Sequence, residues 1–160
     1  MNDEQAASEE VVMKEYPEYT YWLEGNQIRA VGNLILTNER LVFLRQVVLS
    51  EKEVETIQEI SKESTTEKLL QYALTLHKKN FQIPLSSIAS AKLGLVSFFP
   101  LRPCLRVYYR SAGKKVKTMS FMFTLPVLKR LMMSEFPTLG WVRAIKKAVK
   151  AQQRTAGRQA

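Results

Sequence analysis

The groups in this sequence best supplied to do chemistry are its bases, and the chemistry they offer is the capture of anions. Residues 102–160 hold fourteen lysines and arginines against the single acid Glu135. Arg143, Lys146, Lys147, Lys150 and Arg154 recur at helical spacing, so one helix face would present them together to lipid headgroups or phosphates. Lys78, Lys79, Lys114, Lys115 and Lys117 fall on or beside expected turns, and Arg102 beside an expected loop, where folds commonly bind ligands. The simpler reading of each group is a solvated surface. A second candidate is apolar. Phe98 and Phe99, beside Pro100 and between Lys92 and Arg102, make a wedge suited to the interfacial layer of a membrane. Its simpler reading places Leu93, Leu95 and Phe98 in the core.

Catalytic chemistry has little to work with. Cys104 is the only cysteine and His77 the only histidine. That excludes an internal disulfide, a thiolate metal cluster, most histidine zinc sites and the usual Ser-His or Cys-His pairs. No glycine-rich phosphate loop, metal-ligand spacing or carboxylate pair at an expected cleft is present. The chain is therefore expected to be no enzyme and to use no cofactor or metal. Tyr108 and Tyr109 beside Arg106 and Arg110 raise an alternative, a nucleic-acid-binding surface that stacks and neutralises. In strands, alternating Arg and Tyr is more commonly a half-exposed sheet face.

Elements must position these groups, and the pattern supplies them. At 160 residues, 46% hydrophobic and 24% charged, the chain suits one globular domain with a single substantial core. Residues 1–18 carry six acids and only Lys14, and are expected to form a flexible acidic arm that folds back transiently over the basic C-terminal half; its simpler reading is a solvated tail with no preferred contact. The domain proper is expected over 19–153, with 154–160 as a basic tail. No basic leader followed by an apolar core precedes the domain, and the composition is that of a reducing, intracellular protein. A cytoplasmic location follows as the expectation, with peripheral contact to the inner face of a membrane.

Strands are expected at 19–23 and 27–31, with Gly32 as a bulge. Leu34-Ile35-Leu36 and Leu41 to Leu44 flank Thr37-Asn38-Glu39-Arg40, a tight polar break that reads as a hairpin. Ser50-x-x-Glu53 and Ser64-x-x-Glu67 are capping-box spacings that open helical pattern. Strand-like alternation returns from Leu74 around a Lys78-Lys79-Asn80 turn and continues through Ile83-Pro84-Leu85. Residues 89–97, 105–110 and 117–123 complete the strands. Pro126 opens a helix that Pro137 stops, and Thr138 caps a last one to about Gln152, with Trp141, Val142, Ile145, Ala148 and Val149 on one side.

Gly32-x-Leu-x-Leu-Thr-Asn-x-Arg-Leu-x-Phe43 resembles the opening hairpin of GRAM and related pleckstrin-homology-like domains. Ile83-Pro84-Leu85-x-x-Ile88 is similar to a later strand of that family. The resemblance implies a mainly β, α+β fold: a bent sheet or barrel capped by the C-terminal amphipathic helix. The helical stretch near 50–73 interrupts it as an insertion. It implies a non-catalytic binding or adaptor domain that recruits a protein partner or weakly engages anionic membrane surfaces. Relatives that hold inositol phosphates strongly carry bases in their first hairpin loop. Here that loop is Glu24-Gly25-Asn26-Gln27, and Arg29 alone does not restore such a pocket.

Overall fold

A computed structural model describes residues 9–16, 19–63, 65–96, 102–111, 115–124 and 137–157. Its strands are β1 (Val12–Glu15), β2 (Thr20–Glu24), β3 (Gln27–Thr37), β4 (Arg40–Arg45), β5 (Phe81–Pro84), β6 (Ile88–Val96), β7 (Arg102–Arg110) and β8 (Val116–Phe123). Helices α1 (Glu51–Glu63) and α2 (Thr66–Thr75) follow β4, and α3 (Pro137–Ala156) ends the chain. All ladders are antiparallel, in the order β5-β4-β3-β2-β8-β7-β6, and β1 pairs with β3 in line with β2. The α+β expectation is met by a mainly antiparallel, eight-stranded sheet that does not close into a barrel.

The bend of the sheet follows from its edges. β5 and β6 are the two ends of the strand order, yet only the 3-10 turn Leu85–Ser87 separates them in sequence. The sheet must therefore curl until its edges leave from one corner. Leu85 and Ile88 at that corner point into the main core, with Leu34, Leu36, Leu41, Phe43, Leu105, Val107 and Phe121. α3 packs against β6, β7, β8 and the 3-10 turn, and sinks Trp141, Val142, Ile145 and Ala148 into the same core. Trp141 has no exposed surface and stacks on Phe123 at 5.7 Å between ring centroids, with Tyr16 edge-on to Phe123 at 4.8 Å.

The uninterrupted apolar runs of β3 and β4 have a physical cause, because both faces of this strand pair are covered. Leu34, Leu36, Leu41 and Phe43 face the main core, while Ile35 and Val42 pack under Leu70 of α2, flanked by Leu44 and Leu74. A third cluster, Leu23, Val96, Cys104 and Met122, occupies the other face of β2, β8, β7 and β6.

Several expectations are corrected by tertiary geometry. Gly32 is no bulge: it pairs regularly with Thr20 and Arg45, and the irregularity lies between Trp22 and Leu23. Glycine is needed there because a Cβ would stand 2.1 Å from the Leu44 carbonyl oxygen. Part of the acidic arm is sheet, since β1 hydrogen-bonds along β3. Leu74 and Thr75 belong to α2 rather than to a strand, because Leu74 completes the apolar stripe over Ile35 and Val42. Ser64 lies outside the described residues, and the N-cap of α2 is Thr65, which makes no side-chain cap bond. Ser50 and Glu53 do form the reciprocal cap of α1, with Ser50 N donating to Glu53 Oε2 at 2.7 Å. Pro137 is the first residue of α3, as suits a residue with no amide hydrogen to satisfy. Thr138 is consequently buried inside the first turn, and α3 runs through Arg154 into the stretch expected to be tail. The helix expected from Pro126 falls at residues outside the described set.

Trp141→Ala should destabilise the protein by about 3–5 kcal/mol, because the surrounding sheet and helix cannot collapse into the space of an indole. Urea unfolding of both proteins measures it, and a loss under 1 kcal/mol would mean that the ring does not hold α3 to the sheet.

Candidate functional site

The bases of α3 form the most coherent charged surface. With Trp141, Val142, Ile145 and Ala148 committed to the core, the helix turns Arg143, Lys146, Lys147, Lys150 and Arg154 to solvent, and all five are exposed. No Asp or Glu occurs anywhere in α3. Among the described residues, the only ion pairs are Arg29–Glu24 and Arg40–Glu10, so none of the five is neutralised by a carboxylate. No metal-binding group of His, Cys, Asp or Glu occurs among the described residues, and no helix there is long and apolar enough to cross a membrane.

The other sequence candidates are scattered. Lys78 is exposed on the turn after α2, and Lys79 beside it donates from Nζ to the Arg29 carbonyl at 3.0 Å. Arg102 is exposed at the start of β7, and Lys115 and Lys117 are exposed at the start of β8. Lys114, Phe98 and Phe99 lie outside the described residues. Leu93 and Leu95, expected in the core, are about half exposed on edge strand β6 (49% and 56%). In the first hairpin loop Arg29 is paired with Glu24 at 2.7 Å, and Gly25 takes the left-handed conformation (φ 59°) that the tight turn requires. Of the aromatic and basic residues of β7, Arg102 and Arg110 are exposed, and Arg106, Tyr108 and Tyr109 make contacts within the fold. Arg106 donates to the Leu95 carbonyl at 2.8 Å, Lys92 stands over the Tyr108 ring, and Tyr109 packs against the core. Burial pushes the Cys104 thiol upward against the opposing pull of Arg106, which leaves it protonated and inert.

A polar centre that sequence reasoning missed lies beneath the central hairpin. Thr37 Oγ1 accepts from the amides of Glu39 and Arg40 at 3.1 and 3.0 Å and donates to Glu10 Oε1 at 2.7 Å. Asn38 captures the incoming chain, its Oδ1 accepting from Val11 N at 2.8 Å and its Nδ2 donating to the Glu9 carbonyl at 3.2 Å. Arg40 is 7% exposed and Glu10 3%. The guanidinium binds both Glu10 oxygens, Nε reaching Oε1 at 2.8 Å, and also donates to Gln82 Oε1 on β5. Thr37, Asn38 and Arg40 were legible as turn chemistry; that Glu10 is their partner was not, because the two segments lie 27 to 30 residues apart. None of the buried side-chain polar atoms of Glu10, Thr37 and Arg40 lacks a partner, as the anchoring of β1 and β5 to this hairpin requires.

Glu10 also carries a pH signature. Burial by itself raises its pKa, but hydrogen bonds from Arg40 and Thr37 and the Arg40 charge outweigh that and hold it below the ordinary range. No family model, curated protein or solved structure matches this chain, so its family stays open and the site rests on its own geometry.

Because the Glu10 carboxyl is more acidic folded than unfolded, its contribution is complete above the ordinary glutamate value of about 4.5. It is lost as pH falls through the lowered folded value. Glu10→Gln should cost about 3–5 kcal/mol near neutrality by leaving Arg40 buried without its counter-charge. It should also flatten the decline in stability below pH 4.5, as measured by urea unfolding across pH. Parallel acid limbs for the two proteins would show that Glu10 does not titrate against Arg40.

Proposed function

We propose that this chain is a non-catalytic binding domain of pleckstrin-homology-like type that acts as an adaptor. The outer face of α3 engages anionic membrane surfaces weakly and is also the face it offers to an acidic protein partner. The observation that carries the reading is the acid-free row Arg143, Lys146, Lys147, Lys150 and Arg154, exposed on one helix and unpaired among the described residues. Bases at a membrane surface contribute about 1 kcal/mol each, so a row of this size gives reversible rather than permanent attachment. The pleckstrin-homology-like assignment is supported by seven successive strands, β2 to β8, in which the first pairs with the last and the sheet stays open between β5 and β6. It is supported too by a C-terminal helix that lays a tryptophan on the bent sheet. A high-affinity inositol-phosphate pocket in the first hairpin is not part of the proposal, since Glu24 already neutralises Arg29 there.

Co-sedimentation with vesicles of neutral phosphatidylcholine, with and without phosphatidylserine, tests the membrane reading. Binding is expected only to the anionic vesicles and should weaken as salt rises past the range where the Debye length shortens to about 8 Å. The triple variant K146E/K147E/K150E should lose roughly a hundredfold in affinity while keeping its unfolding midpoint. Equal, negligible binding to both kinds of vesicle would remove the membrane engagement and leave protein recruitment.

A further inference from the structure

The insertion between β4 and β5 makes a groove that a bare sheet would lack. α1, α2 and the segment 46–50 stand over the outer face of β3 and β4 and enclose about 280 Å³. Its walls are apolar where the insertion meets the sheet: Leu44, Val47, Leu49, Ile57 and Leu76. At its rim stands Arg45, the last residue of β4.

Arg45 is held in place yet left electrically unanswered. Its amide donates to Asn80 Oδ1 at 2.7 Å, and Asn80 Nδ2 in turn donates to the Ala73 carbonyl at 2.8 Å, so the rim is braced from α2. The half-buried guanidinium touches one side chain, His77, with Nη1 2.8 Å from Nε2. The other ring nitrogen, Nδ1, faces the Lys79 amide at 3.0 Å. A protonated ring would turn a hydrogen toward a donor at both positions, whereas a neutral ring does so at one only and accepts at the other. Burial, then the charges of Arg45, Lys78 and Lys79, accordingly lower the His77 pKa and keep the ring neutral. His77 therefore stands against the guanidinium without cancelling its charge. No carboxylate among the described residues pairs with Arg45, and Lys78 and Lys79 add positive charge beside it. A cation partly withdrawn from water, at the mouth of an apolar groove and with donors to spare, is matched by an anion that carries an apolar chain.

We propose that this groove binds a single-chain anionic amphiphile, its headgroup on Arg45 and its chain along Leu44, Val47, Leu49, Ile57 and Leu76. The volume lies just below the roughly 300–1,000 Å³ of ordinary small-molecule pockets, which admits one short chain and excludes a two-chain lipid. Carboxylate and phosphate monoester heads share the required chemistry, since the guanidinium fork accepts either in bidentate fashion.

Titration of the full chain with decanoate, decyl phosphate and decanol, followed by amide chemical shifts, tests the site. Decanoate or decyl phosphate should saturate one site and move the amides of Arg45, Val47, Ile57, Ala73 and Leu76 together. The stronger of the two identifies the headgroup. Decanol, with the same chain and no charge, should bind at least tenfold more weakly. Arg45→Gln should weaken the anionic ligand at least tenfold and leave decanol unchanged. Ala73→Phe, which places a ring in the groove, should abolish binding of all three; should that variant unfold, the Arg45→Gln contrast decides alone. K146E/K147E/K150E should bind the amphiphile as the parent does, which separates this site from the α3 surface. Shifts confined to α3, equal affinity for decanoate, decyl phosphate and decanol, or indifference to Arg45→Gln would each overturn the proposal.

Discussion

One buried guanidinium ties three parts of the chain together. Arg40 begins β4, binds Glu10 on the incoming N-terminal segment, and reaches Gln82 on β5. A charge so enclosed is tolerable only if every donor finds an acceptor, and that demand fixes its surroundings. Thr37 must present its hydroxyl to the turn amides and to Glu10 at once, which sets the geometry of the β3–β4 reversal. Asn38 must receive Glu9 and Val11, which sets where β1 enters. The Glu39 carbonyl accepts from Leu85 N at 2.8 Å, so the same turn also holds the corner between the sheet's two edges. Slippage of β3 against β4 by one residue would exchange its two buried faces and strand these groups.

From that corner the sheet curls, and α3 lies across the β6–β8 half of the opening. The helix has one apolar face, and Trp141, Ile145 and Ala148 require it to point inward. The charged face has no remaining choice but solvent. The basic surface is thus partly a product of packing: the core decides which way the bases look, and α3 itself holds no acid to pair with them. Lys14 of β1 stands 5.7 Å from the Trp141 ring, so the N-terminal strand also touches the helix that carries the charge. The acidic segment thereby contributes to the fold through Glu10.

The helical pair α1 and α2 changes the environment of the central hairpin. In a half-solvated antiparallel sheet, Ile35 and Val42 would be polar, because that face would meet water. They are apolar because Leu70 and Leu74 cover them. α1 and α2 complete this second layer while leaving a gap near the end of β4, where Arg45 stands. A helical pair that serves to bury two strand residues need not leave a charged rim unpaired. The rim is cationic beside a neutral histidine, a feature that the packing role of the layer does not require.

Much of this protein was legible in one dimension. Alternation and turn residues located most of the strands; the capping box of Ser50 and Glu53 opened α1; the spacing from Trp141 to Val149 placed the two faces of α3. These are local signals, carried by residues within one or two turns of one another, and local physics suffices to read them. What the three-dimensional arrangement decided involves segments far apart in the chain. The burial of Glu10 required Arg40, the demand for glycine at position 32 came from the Leu44 carbonyl, and the helical state of Leu74 came from contact with Ile35 and Val42. The unpaired state of Arg45 likewise depends on which groups the fold brings to it and which it keeps away. Composition counts charges, but only the fold decides which of them meet.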